Sequence, residues 1–193
     1  MSLVSLLTAG LVAGAAIPAP TADTACVVQN PQRMPAAGRP SPLDSLTFAV
    51  GRHQVKVCYG RPSLRGRAMI GGDAVPYGKL WRTGANEPTI FYTPVKLDVA
   101  GIAVAPGLYS LYTVPGETEW EIIVNRATSQ WGHESRYTDE VKKQEVGRGK
   151  APVERLEAPV EQFTIRAEPG SGGAQSLLLE WDRTRVRIPV KAG

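Results

Sequence analysis

The chain has 193 residues, 42% of them apolar and 21% charged, with a formal net charge of +4 at neutral pH. That length suits one domain with a sizeable core. Mild basicity without any extended run of Lys or Arg excludes the electrostatic footprint of a nucleic-acid binder, and the 20 Gly and 16 Pro signal many turns without a collagen period.

Residues 1–25 read as a signal-like export segment. No charge falls between Leu3 and Ile17, small residues follow, and the run is too short for a comfortable membrane span. A buried helix is the weaker reading, since Gly10, Gly14 and Pro18 make a poor helix interior. The basic residue that usually precedes such a run is absent. The expected location is therefore outside the cytoplasm, periplasmic or on the outer surface.

Cys26 follows at once. Thr24-Ala25-Cys26 resembles a lipoprotein processing site, although Asp23 stands where that signal prefers Leu. An anchor at Cys26 is the one membrane route read here; a disulfide to Cys58 or two free thiols are the alternatives. Two cysteines and two histidines, His53 and His133, without short paired spacing give no metal site. No cofactor motif appears.

Residues 26–40, rich in Ala, Pro, Gly, Gln and Asn, read as a flexible linker. Residues 41–193 then form a single domain. Strands are expected over 45–50 and 53–59, joined by Gly51-Arg52 as a hairpin turn. Further strands fall over 89–93, 96–100, 102–104, 108–114 and 119–124, the last two joined by Pro115-Gly116. Thr138 could cap a helix over 138–149, but Val141 and Val146 are its only apolar positions, so 138–160 stays undecided. Strands over 162–167, 177–181 and 185–190 follow, the last two separated by a turn at Asp182-Arg183-Thr184. Many short strands with regular turns predict an all-β fold: an antiparallel, jelly-roll-like sandwich or a partly open barrel with long loops.

The stretch from Tyr59 to Asn86 holds Arg61, Arg65, Arg67, Lys79 and Arg82 against the single acid Asp73. Three loops concentrate candidate ligand-binding residues: Tyr59, Arg61, Arg65 and Arg67 in the first, Trp81, Arg82 and Asn86 in the second, Asn125 and Trp131 in the third. Guanidinium forks bind carboxylate or phosphate bidentately, so an anion site is the functional reading. The competing reading pairs these arginines with acids and carbonyls of their own chain. The aromatic set Tyr77, Trp81, Tyr109, Tyr112, Trp120 and Trp131 suggests stacking on sugars, or else core packing.

Catalysis has less behind it. No Gly-x-Ser-x-Gly elbow exists, and Ser63 lacks an evident base. Glu87, with Glu119 or Glu121, could form a glycosidase-like carboxylate pair, though exposed strand glutamates explain the last two more simply.

The words YGRPSLRGR, VPYGKLWRTGANEPT, APGLYSLYTVPGETEWEIIVN and QWG, in that order, resemble the exported bacterial family catalogued as domain of unknown function 2911. The likeness runs from about Ser41 to Val190, with Gly71-Gly72-Asp73-Ala74, Glu87-Pro88 and Thr138–Pro159 departing from it. It implies an exported β-rich domain and carries no established activity. The expectation is thus an exported domain that takes a small anion or glycan on its arginine-rich loops. A cell-envelope hydrolase using Glu87 as acid or base, and a purely structural or interaction domain, are the alternatives.

Overall fold

The computed structural model describes residues 21–22, 26–28, 32 and 34–193, so nearly all of the signal-like segment lies outside the described residues. Nine strands follow in order: β1 (Leu43–Val50), β2 (His53–Gly60), β3 (Thr89–Thr93), β4 (Leu97–Val99), β5 (Ile102–Val104), β6 (Gly107–Val114), β7 (Glu119–Asn125), β8 (Glu145–Pro169) and β9 (Gln175–Ala192). One four-residue helix, α1 (Asp139–Lys142), precedes β8. The sheet order is β1-β2-β3-β6-β7-β8-β9-β4-β5 with every neighbour antiparallel, and β1 and β5 are left as edges.

The sheet folds over because β8 serves two partners. Residues from Glu145 to Pro152 pair with β7, and those from Val153 onward pair with β9. Register shifts between Arg155 and Val160, and between Val160 and Thr164, bend the strand just beyond the point where the partner changes. The two halves then face each other as in a sandwich. Phe48, Val55, Val57, Phe91 and Leu111 from one half enclose the same interior as Leu97, Val99, Leu177, Ile188 and Val190 from the other. Burying each such side chain fully contributes roughly 1.5–3 kcal/mol.

The all-β reading is correct, and the strands up to β7 begin and end close to where alternation placed them. The C-terminal third differs. The undecided region supplies only α1 and then joins 162–167 in one 25-residue strand. The expected turn at 182–184 is absent as a turn. Asp182 instead takes a left-handed φ of 53° inside β9 and sits opposite Val160, so its turn chemistry is absorbed by the bulge.

The N-terminal linker is also more than a tether. Cys26 is disulfide-bonded to Cys58 of β2. Arg39 is buried, and the carbonyls of Pro40, Ser41 and Pro42 are each bonded to the domain. The packed structure therefore starts before residue 41, fixed by contacts that composition does not reveal.

Candidate functional site

The three polar loops meet at one end of the sandwich. The first continues β2 and lies against β8, with Leu64 N–H donating to Glu161 O at 2.9 Å and Phe163 N–H to Pro62 O at 2.9 Å. It covers the side of β8 where a further strand could pair. The second loop is pinned by Trp81, whose backbone N–H and C=O exchange bonds with Thr113 of β6 at 2.8 and 2.9 Å. Its indole packs into an aromatic cluster, stacked on Trp181 at 5.9 Å and edge-on to Trp120 and Phe163. Thr83 and Asn86 then adopt left-handed φ values of 58° and 69°, an arrangement held by the Thr83 Oγ1 bond to Thr113 Oγ1.

Glycines let these loops touch. A Cβ on Gly60 would overlap the carbonyl oxygen of Ala85, and one on Gly132 would overlap that of Asn86 while standing 2.6 Å from Arg82 Cδ. The YGRPSLRGR, WRTGAN and QWG words of the sequence are therefore the contact points of one packed loop cluster.

Within it the guanidinium groups are bonded to the chain itself. Arg61 reaches Phe163 O at 3.1 Å, Asp44 Oδ2 at 3.1 Å and Thr164 Oγ1 at 2.9 Å. Arg65 donates to Pro40 O, and Arg67 to the carbonyls of Leu64 and Ser63 in its own loop. Arg82 Nη1 spans both oxygens of Glu134 at 3.1 and 3.3 Å, while its buried Nε has no hydrogen-bond partner among the described residues.

The other candidates are similarly engaged. Tyr59 is buried, accepts from Ile165 N–H at 3.1 Å and lies edge-on to Phe163. Burial pushes its hydroxyl pKa above the usual phenol range. Asn86 donates to Ser41 O at 3.2 Å. Asn125 is fully buried and donates to Val141 O and Tyr137 Oη while accepting from Ala127 N–H. Trp131 is half-buried beside Gly132.

Glu87 sits in a buried ion pair that sequence reading did not anticipate. Arg39 Nη1 donates to its Oε2 at 2.7 Å and Nη2 to its Oε1 at 2.9 Å, with side-chain exposures of 0% for Arg39 and 5% for Glu87. Both carboxylate oxygens are thus held by a guanidinium, which is not the arrangement of a general acid or base reaching toward substrate.

A concave site lies on the other side of Trp81. A cavity of about 340 Å³ is walled by Trp81, Tyr137, Val75, Asp73, Lys79 and Glu134. Asp73 and Lys79 are exposed and make no ion pair among the described residues. Tyr137 is fixed by an edge-on contact to Tyr112 at 4.6 Å and by donating its hydroxyl to Glu145 Oε1 at 2.7 Å. Burial first, and then the Glu145 carboxylate, push the Tyr137 hydroxyl well above the usual phenol range, so it stays protonated. Arg148, bonded to Glu145 at 2.8 Å, in turn holds that carboxyl below the ordinary glutamate range. Among the described residues no cluster of His, Cys, Asp and Glu could hold a metal ion.

Of the sequence candidates, Trp81 alone lines this cavity, with Arg82 just behind its Glu134 wall. Asp73 and Lys79 were visible as the odd acid and one of the bases of the loop stretch. Glu134 and Tyr137 carried no local signal, because only the fold sets them opposite Trp81.

No curated protein and no solved structure matches the chain. Residues 41–190 match a family model described as a protein of unknown function, DUF2911. That span is most of the chain, and the protein belongs to the DUF2911 family.

Proposed function

We propose that this protein is an exported, noncatalytic binding domain that takes a small carbohydrate-like ligand in the cavity beside Trp81. The observation that carries the reading is the lining: the half-buried Tyr137 beside Trp81, itself only 4% exposed, with Asp73, Lys79 and Glu134 around them. The Tyr137 ring offers an apolar surface to a sugar, carboxylates accept its hydroxyls, and an ammonium donates to them. The volume of about 340 Å³ falls at the small end of ligand pockets, which span roughly 300–1,000 Å³. A simple anion fits less well, because Asp73 and Glu134 repel it and the nearby guanidiniums are already bonded. Export is supported by the signal-like segment and by a disulfide suited to an oxidising compartment.

The test is a panel of neutral and acidic saccharides titrated against the full chain, read by tryptophan fluorescence and calorimetry. A neutral saccharide should bind saturably. Lys79→Ala and Asp73→Asn should each weaken that binding about tenfold, roughly 1.4 kcal/mol, with an unchanged melting temperature because both side chains are exposed. Binding that both variants leave intact, or no binding across the panel, would remove the proposal.

A further inference from the structure

We infer that the open edge of β1 is a self-association surface, on which a second copy of this chain adds its own β1 antiparallel across a two-fold axis at Thr47. The cavity beside Trp81 plays no part in it.

The register decides which main-chain groups are free. β1 and β2 are joined by a two-residue turn, Gly51 with φ 59° and then Arg52, which leaves Val50 opposite His53. Such a turn makes its flanking residues a hydrogen-bonded pair, and antiparallel pairs then alternate between bonded and non-bonded. At the far end of the hairpin Arg61 N–H donates to Pro42 O at 2.8 Å, in phase with that alternation. The even-numbered residues of β1 therefore bond to β2, while Ser45, Thr47 and Ala49 turn N–H and C=O to the open side. Ser45 N–H is met there by its own Asp44 carboxylate at 2.7 Å. Among the described residues the main chains of Thr47 and Ala49 have no partner on that side.

Other edges are covered or short. The first loop bonds to β8 at Glu161 and Phe163, Tyr59 Oη takes the Ile165 N–H beyond it at 3.1 Å, and β5 has three residues. β1 has eight residues and, from Ser45 to Val50, no charge, no proline and no bulge, which are the devices that keep an edge from pairing. Ser45, Thr47 and Ala49 are small and exposed, so a neighbouring strand can approach.

A second β1 is the strand that fits. With Thr47 opposite Thr47, each amide meets the other copy's carbonyl, and Ser45 stands opposite Ala49 of the second copy. Leu46, only partly buried at this margin of the core, then lies opposite Phe48 of the second copy. The ends match in charge. Asp44, its side chain 41% exposed, comes beside the exposed Arg52 that follows the other strand, and the two-fold axis makes this contact twice.

The experiment is sedimentation velocity on the full chain from about 1 μM to 1 mM, with amide hydrogen exchange at both ends of that range. The mean mass should rise toward that of a dimer, and the Thr47 and Ala49 amides should gain protection at the high end. Thr47→Pro removes an N–H that makes no bond to β2, so it should keep the fold and weaken association at least about tenfold. Ala49→Lys, a charge at an exposed edge position, should do the same and serves as the second variant if Thr47→Pro does not fold. A parent chain that stays monomeric throughout overturns the inference. So does a dimer that both folded variants form as readily as the parent, or one in which the Thr47 and Ala49 amides gain no protection.

Discussion

Replacing Arg39 by Ala is the sharpest test of how this fold is held together. The side chain is 0% exposed, donates two bonds to a carboxylate that is itself 5% exposed, and bonds the carbonyls of Pro35 and Met34 at 2.8 and 2.6 Å. Those two carbonyls lie near the surface, so water replaces their lost bonds at little cost. The carboxylate does not have that option. Removing one member of a buried ion pair leaves a charge in low dielectric and typically costs about 3–5 kcal/mol. For comparison, the Lys150–Glu119 pair has side chains 72% and 46% exposed, and breaking it should cost almost nothing because solvent screens it. Urea unfolding followed by tryptophan fluorescence should therefore separate Arg39→Ala from Lys150→Ala by at least about 2 kcal/mol. The double change Arg39→Met with Glu87→Leu should cost less than the two single changes together, with a coupling on the order of 2 kcal/mol. If Arg39→Ala costs no more than Lys150→Ala, the ion pair is not a buried anchor and the reasoning built on it fails.

Three further outcomes follow from the same structure. Cys26→Ser with Cys58→Ser opens a loop of sequence separation 32 and should lower stability by about 3–4 kcal/mol in denaturant titrations, while reductant should leave the double variant unaffected. Gly132→Ala drives a methyl into the Asn86 carbonyl and Arg82 Cδ, so it should cost on the order of 3 kcal/mol by calorimetry; a neutral result would show that the loops are not tightly packed. The pH dependence has two limbs. Glu145, Glu154 and Glu180 are held below the ordinary carboxylate range by Arg148, Arg187 and Arg166 respectively, so their contribution is present above that range and is lost as pH falls through the depressed values. Burial pushes Tyr112 up to about 12, so the unfolded chain releases its phenolic proton first, and stability should fall as pH rises from about 10 toward that value. Melting temperatures across pH, with tyrosinate absorbance at the alkaline end, check both limbs.

Much of the architecture was legible residue by residue. Val55, Val57 and Tyr59 alternate with polar neighbours, and Gly51-Arg52 turns the chain, so the first hairpin follows from local chemistry. The same holds for β6 and β7 around Pro115-Gly116. The long β8 was not legible, because its apolar positions are sparse and its pairing partner changes midway, which periodicity within a window cannot register. Asp182 misled for a related reason: a residue suited to a turn also suits a bulge, and only the strand opposite decides between them.

The candidate site divides along the same line. By itself the sequence established an all-β domain with an excess of arginine over acid in one loop stretch, since alternation and charge are local properties. It could not place the acids and carbonyls that meet those arginines. Asp44, Glu134 and Phe163 O are supplied from 17, 52 and 102 positions away, and Arg39 meets Glu87 across 48. Tertiary structure alone converted an apparent excess of free guanidinium into internal bonds, and it alone opened a cavity between Trp81 and Tyr137. The physical reason is distance: electrostatic pairing and concavity act over a few ångströms of space, whatever the number of residues between the partners.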